Sequence, residues 1–219
     1  MKKLSNIYFY YGSSAFGKST FVIESYYKYK KLGYKPLVVY CPSYGDPQVD
    51  IYSRDLGILK SSINPIIITR DILDTIPWQN SDVFIFDEIQ NKSQEEIDIL
   101  IKYACDMDKT CIFVGALYDP YGRKIITTEY LSNLDINCYP LEVCCDIEGC
   151  NNQAFTSINI GEDNRIVMNP ANYDKDLRTL RVCKDCHKKY VLKDYNNRMK
   201  EFRISQIGGL LKWLTRAVY

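Results

Sequence analysis

The sequence has little imbalance of charge: 28 Lys and Arg stand against 27 Asp and Glu, a net charge of +1. No surplus of one sign draws the chain to nucleic acid or to an anionic membrane surface in general. It also lacks an apolar run long enough to span a bilayer. Its start, Met1-Lys2-Lys3-Leu4, leads directly into a strand-like stretch and has no long apolar core of a signal peptide. These absences set the expectation of a cytoplasmic protein with no membrane and no nucleic-acid partner. No internal repeat and no low-complexity segment occurs. Histidine is almost missing: His187 is the single one.

Cysteine, by contrast, is plentiful, with nine in 219 residues. Cys41, Cys105, Cys111 and Cys138 each fall inside or beside an apolar run and read as small buried hydrophobes. The other five gather between Cys144 and Cys186. In a reducing compartment such a cluster points to metal rather than to disulfides.

The length suits one well-buried α/β domain with a small appendage. Strand-like runs occur at Asn6 to Tyr11, Pro36 to Cys41, Pro65 to Thr69, Val83 to Phe86 and Cys111 to Gly115. They are uninterrupted rather than alternating, as in a parallel sheet covered on both faces. Helical signals fall between them. One runs from about Lys18 to Leu32 and stops at Gly33. Another covers Ser93 to Met107, with Ile97, Leu100, Ile101 and Ala104 at helical spacing and a Ser93/Glu96 capping box. The predicted fold is therefore α/β, a doubly wound parallel sheet like that of the P-loop NTPases, over residues 1–135. A small, loop-rich zinc-binding lobe, a lid, is predicted over 136–190. A helical tail follows over 191–219, where Ile207, Leu210, Leu211, Leu214 and Val218 recur at helical spacing.

Residues 12–19 fit G-x-x-x-x-G-K-[ST] at each fixed position. Gly12, Ser13, Ser14, Ala15, Phe16, Gly17, Lys18, Ser19 and Thr20 are the candidate ATP-phosphate ligands. Glycines permit a sharp turn and close approach of the backbone to phosphate. The N–H groups that open the helix favour an anion. Lys18 reaches the β- and γ-phosphates, and Ser19 is placed to coordinate Mg²⁺. After the fourth strand come Asp87 and Glu88. Asp87 is the candidate second Mg²⁺ ligand. Glu88 is the candidate base, directed elsewhere because neighbouring residues on a strand point to opposite faces. A kinase would use Glu88 toward a substrate hydroxyl, and an ATPase would use it to align water.

Cys183-Lys184-Asp185-Cys186 is C-x2-C, and Cys145 with Cys150 is C-x4-C. Together they supply four thiolates for a closed, structural Zn²⁺ site. Cys144 is the alternative first ligand, and His187 reads as a bystander.

Taken in order, these motifs resemble the type II, zinc-lobe thymidine kinases over about residues 5–190. That family has G-P-M-x-[SA]-G-K-S-T where this chain has residues 12–20, and D-E-[AG]-Q-F where it has Asp87-Glu88-Ile89-Gln90-Asn91. The segment Ser53-Arg54-Asp55-Leu56-Gly57 is similar to its S-R-x-G. Leu117-Tyr118-Asp119-Pro120-Tyr121-Gly122-Arg123-Lys124 is similar to its L-D-x-x-F-x-R-[KE]. The resemblance implies transfer of the γ-phosphate of ATP, with Mg²⁺, to the 5′-hydroxyl of a pyrimidine deoxynucleoside such as thymidine or deoxyuridine. Glu88 would be the base, Tyr121 would stack on the pyrimidine, and Tyr173 would belong to the closing loop. It also implies a homotetramer. Ser13-Ser14 replace the family's Pro-Met, Ile89 a small residue and Asn91 an aromatic. An Asp-x-Arg after the second strand keeps only Asp46, with Arg54 and Arg123 as alternative sources of the missing charge. Two other readings stand beside this one. One is a kinase for a different or modified deoxynucleoside. The other is a P-loop ATPase with a nucleic-acid-binding zinc module.

Overall fold

The computed structural model describes residues 6–43, 63, 65–67, 76–119, 121–161, 165–167, 177–194 and 196–197. Six parallel strands form the main sheet: β1 (Ile7–Tyr11), β2 (Pro36–Tyr40), β3 (Ile66–Ile67), β4 (Val83–Asp87), β5 (Thr110–Gly115) and β6 (Asn137–Pro140). Their spatial order is β3-β2-β4-β5-β1-β6. Helices α1 (Lys18–Lys31), α2 (Gln94–Asp106) and α3 (Ile126–Ser132) cover it.

Alternate residues of each strand feed two separate cores, as the pleat requires. Ile7, Phe9, Phe84, Phe86, Cys111 and Phe113 face α2 and α3. There they meet Ile97, Leu100, Ala104 and Leu131, with Trp78 packed 4.4 Å from the Phe84 ring. Val83, Ile85, Ile112 and Val114 face the other way, onto Val22 and Ile23 of α1. The apolar strand runs thus reflect a sheet covered on both sides.

The helix ends follow local chemistry. The Ser93 side chain accepts from the Glu96 backbone, while Glu96 accepts from the backbone N–H of Ser93, closing a capping box. Helix α1 ends where Gly33 adopts φ 86° and Tyr34 N–H reaches back to Tyr29 O at 3.1 Å. Of the four isolated cysteines, Cys41 and Cys111 are buried in the core, and burial pushes both thiols up. Cys105 departs from the sequence expectation. It is exposed, because the buried stripe of α2 runs through Ile97, Leu100, Ile101 and Ala104.

Residues 137–140 lie past the point where the sequence changes character at Asp135, yet they pair with β1 in the main sheet. The lobe beyond holds an antiparallel pair, β7 (Thr156–Ile160) and β8 (Arg178–Val182). Residues 184–194 then form a helix, α4. The lobe has its own small core of Ile158, Ile160 and Val182 with Cys145, Cys183 and Cys186. A bidentate Arg181–Asp146 pair closes one side at 2.6 Å, and the arginine's hydrogen bonds hold the Asp146 carboxyl below its ordinary range. Asp46, Arg54, Tyr173 and the apolar tail from Ile207 to Val218 lie outside the described residues. Among the described residues no helix is long and apolar enough to cross a membrane.

Candidate active site and metal centre

The carboxyl ends of β1, β4 and β5 meet at one edge of the sheet, where open parallel sheets bind their ligands. The phosphate-loop residues connect β1 to α1. Gly12 N–H is bonded to Gly115 O at 3.1 Å, which anchors the loop to β5. The need for glycine at position 12 is steric: a Cβ there would come within 2.8 Å of the Phe16 Cβ. Ala15 and Gly17 both take left-handed backbone, at φ 63° and 73°, and Lys18 opens the helix directly after. Lys18 is buried, and its Nζ donates to Ser13 O at 3.1 Å.

Asp87 is 2% exposed at the end of β4. Burial pushes its carboxyl up to about 7, with the Glu88 charge adding to the shift and the Lys18 amine opposing it. Lys18, Asp87 and Glu88 therefore share one electrostatic environment, although they come from different motifs. A carboxylate this deeply buried is costly without a cation. The donor set fits Mg²⁺, a hard cation that takes carboxylate and hydroxyl oxygens, with Ser19 at the helix start as the companion.

Glu88 is separated from Asp87 in a way that strand alternation does not describe. The strand stops at Asp87. Glu88 adopts φ 57°, ψ 39°, left-handed backbone that few non-glycine residues enter. A 3₁₀ turn, Ile89–Asn91, follows at once. Glu88 N–H donates to Asp87 Oδ1 at 3.0 Å. Gln90 Nε2 donates to Glu88 Oε2, and Asn91 Nδ2 donates to Cys41 O at 3.0 Å.

Tyr121 lies in a tight reversal between Tyr118 and Lys124. Asp119 holds that reversal, accepting from the N–H groups of Tyr121 and Arg123 at 2.9 Å each. Tyr121 is 41% exposed, with the Arg123 guanidinium 4.6 Å from its ring centroid.

Sequence reasoning did not single out Thr156 and Phe155, which join this edge to the lobe. Ser13 Oγ contacts Thr156 Oγ1 at 3.2 Å, and Thr156 donates to Asp119 O at 3.0 Å. Phe155 packs edge-on against both Tyr118 and His187, at 5.3 Å in each case. Gly122, at φ 77°, lies so close beneath that a Cβ would sit 3.0 Å from Phe155 Cζ and 3.1 Å from His187 Cε1. A cavity of about 240 Å³ opens between the phosphate loop and the lobe. Ser13, Phe16, Leu117, Tyr118, Leu141 and Phe155 are among its walls; Tyr121 is not.

Cys145, Cys150, Cys183 and Cys186 converge so that their sulfurs all lie within 4.8 Å of one another. The Cys150–Cys183 separation is 3.7 Å, close to the ~3.8 Å edge of a tetrahedron built on Zn–S bonds of about 2.3 Å. The cluster could hold a zinc ion. Cys183 is the readiest thiolate, pulled down to about 7 chiefly by the Cys186 backbone N–H. Burial pushes Cys186 up to about 12. Cys144 is exposed and outside the group, paired through its backbone with Gln153. His187 is buried against Phe155 rather than directed into the cluster.

The thymidine kinase family model matches residues 5–187. The chain belongs to the thymidine kinase family. The order of phosphate loop, acidic pair and cysteine cluster agrees with the zinc-lobe members of that family. A search among curated proteins finds no match. Among solved structures the chain is similar to a DNA replication initiation factor at 18% identity, covering 63% of this chain and 40% of that one, with a TM-score of 0.38. It is also similar to AMPPCP-bound DnaA from Aquifex aeolicus at 16% identity, 63% and 40% coverage and a TM-score of 0.35. Bacteroides Pif1 bound to single-stranded DNA matches at 17% identity, 59% and 33% coverage and a TM-score of 0.30. The chain spans about 40% of the length of the first two. At these TM-scores nothing about function follows from the likeness.

Proposed function

We propose that this chain is a thymidine kinase in activity as well as in family, transferring the γ-phosphate of ATP to the 5′-hydroxyl of thymidine or deoxyuridine. The observation that supports the reading is that the phosphate loop with buried Lys18 follows β1, and buried Asp87 with Glu88 ends β4, at the same edge of the sheet on either side of β5. Lys18 and the backbone N–H groups from Gly17 to Thr20 bind the triphosphate. Ser19 and Asp87 would hold Mg²⁺, whose charge would neutralise the transferring phosphoryl group. Glu88, on the left-handed turn that follows β4, takes the proton of the acceptor hydroxyl. Tyr121 offers a ring face to the base, and Tyr173 contributes to closure over it. The four cysteines would hold structural Zn²⁺ and keep the lobe against the phosphate loop, so that water is excluded as acceptor.

The test is transfer of labelled phosphate from ATP to thymidine, deoxyuridine and deoxycytidine in parallel. Glu88→Gln should reduce transfer by a factor of about 10² to 10⁴, the usual worth of a general base, while ATP binding stays near its original strength. Hydrolysis of ATP stimulated by nucleic acid, with no transfer to any nucleoside, would overturn the reading.

A further inference from the structure

Gln90 has a side chain fixed at both ends. Its Oε1 accepts from the Ala116 backbone N–H at 3.0 Å, and its Nε2 donates to Glu88 Oε2. The two partners allow one orientation of the amide. A backbone N–H can only donate, so the atom facing Ala116 must be the oxygen. An ionised carboxylate can only accept, so the atom facing Glu88 must be the nitrogen. A flipped amide would set two donors against each other at one end and two acceptors at the other.

The anchor at Ala116 is itself immobilised. The fully buried Thr128 donates through Oγ1 to Ala116 O at 2.7 Å, so both polar atoms around that residue are held. Space for the amide depends on the neighbouring residue having no side chain. A Cβ at Gly115 would lie 2.8 Å from Gln90 Oε1 and 2.7 Å from Ile89 Cγ2. Asn91 N–H bonds to Glu88 O at 3.1 Å, which closes the turn around the same residue. The chain thus carries a continuous link from α3, through the peptide after β5, to one oxygen of Glu88.

We propose that Gln90 is a positioning residue: it holds one carboxylate oxygen of Glu88 and so aims the other at the acceptor hydroxyl. This rests on the kinase reading, in which Glu88 is the base. Removal of the amide frees the carboxylate to rotate; because the peptide it holds also accepts from Gly12 N–H through Gly115 O, the KM for ATP is read alongside kcat.

Gln90→Met keeps the length of the side chain and abolishes both hydrogen bonds. Its kcat for phosphate transfer should fall by about tenfold to a hundredfold, with the KM for ATP changed by less than about twofold. In a Glu88→Gln background the same change should lower the residual rate no further, because Gln90 acts only through Glu88. A Gln90→Met enzyme with unaltered kcat, or one whose loss adds fully to that of Glu88→Gln, would overturn the proposal. A wild-type chain inactive toward every nucleoside would instead overturn the kinase reading. The contact is then tested apart from activity, by a denaturant double-mutant cycle of Gln90→Met with Glu88→Ala. Coupling of a factor of about 2 or more in the unfolding equilibrium supports the held carboxylate, and additivity overturns it.

Discussion

Left-handed backbone costs a non-glycine residue about 1–2 kcal/mol, and Glu88 and Ala15 both adopt it at the same edge of the sheet. At Glu88 the surroundings impose it: the 3₁₀ turn behind, the Asp87 carboxylate on its N–H and the Gln90 amide on its side chain. Gly115 makes that arrangement sterically admissible. Gly115→Ala would drive a methyl to within 2.7 Å of Ile89 and 2.8 Å of Gln90. The expected cost is about 1–3 kcal/mol, typical of overpacking, read as a lowered denaturation midpoint. A loss of kcat larger than the loss of ATP affinity should accompany it. Wild-type kinetics and stability in that variant would mean that the turn has slack which the contacts do not suggest.

The elements differ in how openly the sequence announces them. The strands around the site were legible because each is a short apolar run, β4 and β5 being buried on both faces, and the phosphate loop because its glycines and lysine occupy fixed positions. Helix α2 was legible to its cap. Ser93→Ala should remove about 1 kcal/mol, since it deletes the acceptor for the Glu96 N–H in the capping box; chemical denaturation measures this. Strand β6 was hidden for a physical reason. It is a partly exposed edge strand, Asn137-Cys138-Tyr139-Pro140, and makes only one row of neighbours, so it has no apolar run to show. Helix α3 was hidden because Ile126, Thr127 and Thr128 are poor helix formers, and packing of Thr128 and Leu131 decides its state. Within the site, the two cysteine pairs were legible from their spacing, with Cys144 left as the alternative to Cys145 until the sulfurs were seen to converge. The contacts from Thr156 to Asp119 and from Gln90 to Ala116 join residues far apart in sequence, and no local pattern marks them.

At the scale of the molecule, the lobe is a small hydrophobic cluster whose cysteines form part of its core. So little apolar material holds it that a metal should contribute a large share of its order. Metal analysis should return about one zinc per chain, by the one four-cysteine group among the described residues. Chelation should then expose β7 and β8 to protease while the six-stranded sheet stays intact. Phe155 and His187 bear directly on Gly122, so phosphate transfer should suffer more than ATP binding. Limited proteolysis alongside nucleotide titration would check both halves. A chelated protein with an unchanged cleavage pattern would refute the dependence of the lobe on metal.

Strand β1 is synthesised before all the others, yet its partners arrive very late: Tyr8 lies beside Ile112 on one flank and Asn137 on the other. A growing chain therefore carries the phosphate-loop sequence without its flanking strands until β5 and β6 have followed it. Closure of such distant pairings is slow, and an unpaired apolar strand invites association with other chains while it waits.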